Sequence, residues 1–159
     1  MGSLLKKAEQ LAILKKYDEA FELLQHADRQ GDPAAAYALG TWYLHGRHVK
    51  KNYLKAVEYL IRASEAGSKD AFFDLAVCYE KGEGVDKDTQ TAFTYYLIAS
   101  RLGDKNSLYE VGRCFYYGIG IKKNRDLANN FFGMWQGKNS LRLPKYTKMQ
   151  KAKKAVSTH

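Results

Sequence analysis

A 36-residue period constrains the fold of this chain more than any other feature. Positions 36 apart carry the same kind of side chain: Gly40, Ala76 and Gly112; Tyr43, Tyr79 and Phe115; Gly46, Gly82 and Gly118; Val49, Val85 and Ile121. Ala56, Ala92 and Ala128 follow in the same register, then Tyr59, Tyr95 and Phe131, while Gly31, Gly67 and Gly103 close successive units. A period of this length marks a supersecondary unit that cannot bury its apolar face alone and stacks on its neighbours.

Each unit reads as two helices. In "DAFFDLAVCYEK", residues 70–81, Phe72, Leu75, Ala76 and Tyr79 form one amphipathic stripe. The second helix starts at Asn52, Asp88 or Asn124, whose side-chain oxygens suit an N-cap, and ends at Gly67 or Gly103. The small residues at 40, 76, 112 and at 56, 92, 128 mark where the two helices approach most closely.

Gly82-x-Gly84 and Gly118-x-Gly120 invite a phosphate-loop reading. No strand precedes either pair, and neither continues into a dinucleotide or P-loop pattern. A loop that recurs in each unit is better read as a helix-to-helix turn, with Val85 and Ile121 packing back as apolar plugs. Asp86 and Asp88 lack the further ligands of an EF-hand. His45-x-x-His48 is read as a pair of surface or loop histidines, because no further cysteine or carboxylate completes a metal set. Nothing resembles a catalytic triad, a paired-carboxylate site or a zinc signature, so neither catalysis nor a cofactor is expected.

The formal net charge of +9 is unevenly placed. Residues 1–31 balance five basic against five acidic side chains, and 32–102 balance nine against nine, whereas 103–159 carry twelve against three. The body is neutral and the excess is C-terminal, which argues against a general nucleic-acid surface. No apolar run is long enough to span a membrane, and no signal peptide is evident in "MGSLLKKAEQLAILKK", although a trimmed one is compatible with the sequence. A monomer in the cytoplasm is expected. Cys78 and Cys114 occupy equivalent slots of adjacent units. Packed helices lie roughly 8–10 Å apart, beyond the Cα reach of a disulfide, so both are expected to be thiols, which favours a reducing compartment.

The order of small residue, aromatic, Gly-x-Gly-Val, cap, Ala and aromatic in "AFFDLAVCYEKGEGVDKDTQTAFTYYLIASRLG" and its neighbours resembles the Sel-one-like repeat family, a relative of the tetratricopeptide repeat, over 33–137. In "KKYDEAFELLQHA" the chain resembles the parent tetratricopeptide unit. The resemblance implies an all-α, right-handed α-solenoid of antiparallel helix pairs. Its expected divisions are a tetratricopeptide-like unit at 3–31, repeats at 33–68, 69–104 and 105–138, and a basic C-terminal cap or tail at 139–159. Two departures stand out. The first full repeat has His48 where the others have the second glycine, so either its backbone is unusual or its loop differs. Trp135 stands where Ala63 and Ala99 stood, which suggests that the regular stack stops.

By the same resemblance, the concave face is lined by Tyr37, Thr41, Leu44 and His45, then Phe73, Val77, Glu80 and Lys81, then Tyr109, Arg113, Tyr116 and Tyr117. The stripe facing the partner helix is already supplied by Leu39, Tyr43, Leu75, Tyr79, Val111 and Phe115. The aromatic ladder of Tyr37, Phe73 and Tyr109, with Arg113, is therefore expected to stand clear of it, as interface anchors do. The tail is read as a helix entered at Pro144, with Leu143, Tyr146 and Met149 against the last repeat and its lysines in solvent. The expected function is a non-catalytic adapter that holds another protein or a peptide segment on the concave face. The alternative is an immunity-type protein that neutralises a toxin or enzyme; an RNA-associated protein using the tail ranks third.

Overall fold

Six Asp, Asn or Ser side chains fix where the helices of the repeats begin. Asp32, Asn52, Ser68, Asp88, Asp104 and Asn124 each accept a backbone N–H from the first turn of the helix that follows. Three are the expected caps. The structure, a computed structural model, describes residues 2–138. Among these are eight α-helices: α1 (Gly2–Ile13), α2 (Tyr17–Arg29), α3 (Pro33–His45), α4 (Tyr53–Glu65), α5 (Lys69–Lys81), α6 (Thr89–Arg101), α7 (Lys105–Tyr117) and α8 (Arg125–Trp135). Described residues contain no strand. The expected cap over 139–159 lies outside them.

The helices pack as α1/α2, α3/α4, α5/α6 and α7/α8, and each second helix also packs on the first helix of the next pair. Within a pair, small residues allow close approach. A Cβ on Gly112 would lie 2.7 Å from the Phe132 ring, and one on Gly40 would lie 3.0 Å from Leu60. Ala56, Ala76, Ala92 and Ala128 are fully buried. Between pairs, one second-helix slot makes the contact. Phe21 meets Tyr43 at 6.1 Å and Phe93 meets Phe115 at 5.3 Å, both edge to face, and Val57 is buried in the same slot. The next residue in this series is Asn129, which is exposed. The apolar slot that receives a following unit is thus absent from α8. Helix α8 also has 11 residues where α4 and α6 have 13.

The Gly-x-Gly loops do more than reverse the chain. Gly46, Gly82 and Gly118 close the first helices in the left-handed conformation. The second glycine reaches the preceding unit: a Cβ on Gly84 would overlap the carbonyl of Tyr53, and one on Gly120 the carbonyl of Thr89. Tyr53 and Thr89 are the first residues of α4 and α6. His48 holds the corresponding place in the first repeat with φ of 60°, the unusual backbone anticipated from the sequence. Its imidazole stacks at 3.4 Å on Tyr17, the first residue of α2, and meets Trp42 edge-on. A side-chain stack therefore occupies the register position that backbone contact occupies elsewhere. Val49 and Val85 pack on one core cluster and Ile121 on another, as plugs should.

Cys78 and Cys114 are free and fully buried. Burial pushes both thiols up to about 12, with Glu83 and Asp74 adding near Cys78. Gly120→Ala should lower stability by about 2–3 kcal/mol, because it strains a positive φ and collides with backbone. Gly112→Leu and Ala92→Leu should each cost about 1–3 kcal/mol or more by overpacking. Urea denaturation reads all three; unchanged midpoints would mean that these close approaches do not exist.

Candidate functional site

The site residues expected from the sequence lie on the first helices α3, α5 and α7. At the last helical residue, His45, Lys81 and Tyr117 form a row and all three are exposed. One turn inward, Thr41, Val77 and Arg113 are partly buried, and Thr41 donates its hydroxyl to the Ala38 carbonyl at 2.8 Å. Leu44 is buried, whereas its counterparts Glu80 and Tyr116 are partly open.

Tyr37, Phe73 and Tyr109 are all at least partly exposed, but Phe73 and Tyr109 also pack within their own pairs, which corrects the expectation that the pairs do without them. Phe73 meets Tyr96 of its own pair edge-on at 5.6 Å. Tyr109 lies 5.4 Å from Phe132 and 5.2 Å from Trp135 of α8. The bulk of Trp135 is explained by this contact. Tyr37 donates its hydroxyl to Asp74 Oδ2 of α5 at 3.0 Å, which ties two units together. Of the three, only Tyr109 counts as exposed, at 41%.

Arg113 is likewise engaged. Its Nη2 donates to both Glu80 oxygens, at 2.9 and 2.7 Å, and its Nε donates to Glu110 Oε2 at 2.7 Å. Tyr96 donates its hydroxyl to the same Glu80 carboxylate at 3.0 Å. A bidentate, charge-assisted cluster thus joins α5 to α7. It leaves Arg113 as a clamp between repeats and not as a free anchor. Asp74, Tyr96 and Glu110 were missed from the sequence; only Glu110, three residues before Arg113, had a readable signal.

The carboxylates of Asp74 and Glu80, which bridge first helices, differ in their electrostatics. Burial raises Asp74, and the nearby charges of Asp70 and Asp104 add to this against the Tyr37 hydrogen bond. Burial also works against the Glu80 carboxylate, but hydrogen bonds from Arg113 and Tyr96 outweigh it and hold the group below its ordinary value. Burial beside Asp74 raises the Tyr37 phenol as well. At the far end, Arg125 lies over the Tyr116 ring at 4.9 Å, and Tyr117 meets Tyr116 edge-on. Tyr117 is 65% exposed. Among the described residues no cluster of His, Cys, Asp or Glu could hold a metal ion, and no helix is long and apolar enough to cross a membrane.

Stacked helix pairs with a periodic side-chain face define a helical-repeat scaffold. The Sel1 repeat profile matches residues 33–68, 70–104 and 105–134, and the chain belongs to the Sel1 repeat family. No curated protein matches the sequence. Among solved structures, a Sel1 repeat protein from Oxalobacter formigenes is similar at 29% identity and TM-score 0.77, over 86% of this chain and 56% of that one. A protective antigen of uropathogenic Escherichia coli with an SLR fold is similar at 25% identity and TM-score 0.73, over 76% of this chain and 26% of that one. Cysteine-rich protein B of Helicobacter pylori is similar at 28% identity and TM-score 0.57, over 74% and 89%. The chain thus spans about half of the first protein and a quarter of the second. Sel1 repeat proteins are generally non-catalytic scaffolds for protein interaction.

Glu80→Gln should cost about 1–2 kcal/mol at neutral pH, since it removes the charge that holds Arg113. A lowered folded pKa gives stability that is fully present above the ordinary value of 4.5 and is lost as pH falls through the folded value. The deficit of the variant should therefore shrink below that pH. Asp74→Asn should show the opposite sign: with a raised folded pKa, the native carboxyl loses stability as pH rises above its ordinary 3.8. Thermal unfolding of both variants across pH 3–7 checks the pair of signs.

Proposed function

We propose that the chain is a monomeric adapter that holds a segment of another protein along the face of α3, α5 and α7. The observation that carries this is the uneven cover of that face. Polar bridges between units close it at Tyr37 and Arg113, while Tyr109 and Tyr117 leave much of their ring area to solvent. Tyrosines beside a charged cluster are the usual anchors of an interface, with an apolar body and a hydroxyl to pair. His45 and Lys81 extend the row along the stack. Thr41, Phe73, Val77 and Tyr116, all partly buried, complete the proposed face. The buried thiols of Cys78 and Cys114 support a reducing compartment such as the cytoplasm.

The test is affinity capture followed by binding measurements with the captured protein. Tyr109→Ala and Tyr117→Ala should each weaken binding by about 1–2 kcal/mol with helix content retained. Glu58→Ala, on the exposed side of α4, should be near neutral. Arg113→Ala should act mainly on stability, through the stranded Glu80. Loss of binding on changes in α4 or α6, with the tyrosine variants unaffected, would move the site to the other face.

A further inference from the structure

We propose that the edge formed by the turns at 14–16 and 46–52 docks the protein peripherally on an anionic lipid surface, with Ile13, Leu14 and Leu54 entering the apolar phase. Among the described residues these are the three most exposed large apolar side chains, at 79%, 67% and 73%. All three lie where the helices of a pair turn back: Ile13 ends α1, Leu14 follows it, and Leu54 is the second residue of α4. The stack of His48 on Tyr17 at 3.4 Å joins the second turn to the helix that leaves the first.

Charge selects the occupant. The two turns carry Lys15, Lys16, Arg47, Lys50 and Lys51 and no carboxylate, and all five cations are exposed. Of these, among the described residues, only Lys16 is in an ion pair, with Glu19 at 3.3 Å in the first turn of α2. The next turn on this edge, 82–88, has three carboxylates and one lysine, and the turns at the opposite edge, 30–32, 66–68 and 102–104, have two carboxylates and no cation. The backbone agrees. Lys15 and His48 are the described residues other than glycine with a positive φ, both at 60°, so a cation stands where glycine would be less strained. Aliphatic side chains on a turn suit a fluid apolar phase, which needs no matching pocket, while the cations meet anionic headgroups. A nucleic acid fits less well, because bases stack on open aromatic faces and the Tyr17 and His48 rings are stacked on each other.

Cys78 and Cys114 are fully buried, so Leu54→Cys in the full chain takes a polarity-sensitive thiol fluorophore selectively. Its emission should shift to the blue with vesicles of phosphatidylcholine containing about 30% phosphatidylserine, and not with phosphatidylcholine alone. A label on Leu102→Cys, at the opposite edge, should not shift. An unshifted Leu54 label overturns the proposal. Vesicle sedimentation gives a second reading, since the cations of 138–159 also attract such vesicles. Leu14→Ser with Leu54→Ser, and separately Lys50→Glu with Lys51→Glu, should each weaken binding to the anionic vesicles about tenfold; all four side chains are exposed, so the fold is retained. Unchanged binding in both pairs would assign the attraction to the C-terminal segment and refute docking by the turns. Lysine changes that weaken binding to single-stranded RNA and leave vesicle binding intact would assign the patch to nucleic acid, which equally refutes it.

Discussion

The stack depends on one backbone approach, made where the loop of one repeat meets the start of the previous repeat's second helix. At Gly84 and Gly120 the space for a Cβ is taken by the carbonyls of Tyr53 and Thr89. No other residue combines the required positive φ with that absence of volume. This contact joins neighbouring repeats, and the side-chain contact Phe93–Phe115 lies at the same junction as Gly120. Where His48 replaces the glycine, stacking on Tyr17 takes over the same junction.

That spacing brings the first helices side by side, and their faces are then fixed by polar bridges. Tyr37–Asp74 and the Glu80–Arg113–Glu110 cluster are half-buried, directional and confined to one side of the stack. They hold the first helices in register. Their geometry converts a run of otherwise independent helix pairs into one continuous face, with its most open aromatic surface at α7.

The period, the helix pairs, the caps and the loop plugs were legible in the sequence because each is local or repeats every 36 residues. Asn52, Asp88 and Asn124 cap as their spacing implied, and His48 carries the strain that its place among glycines foretold. The bridges were not legible. Tyr37 pairs 37 residues on, Glu80 pairs 33 on, and Tyr17 pairs 31 on. These offsets follow from how far one unit turns relative to the next, which periodicity does not encode. The same gap made Arg113 read as a free anchor, and hid the support that Phe132 and Trp135 give to Tyr109.

The central claim is that the face of the first helices, and not the loops or the second helices, receives the partner. Oxidative side-chain footprinting of the free and partner-bound protein tests it most directly. The account predicts that labelling of Tyr109, Tyr117 and His45 falls on binding, while exposed Leu54 on α4 and Leu102 after α6 stay as reactive as before. Protection confined to Leu54, Leu102 or the loops after Gly46, Gly82 and Gly118, with Tyr109 and Tyr117 unchanged, would contradict it.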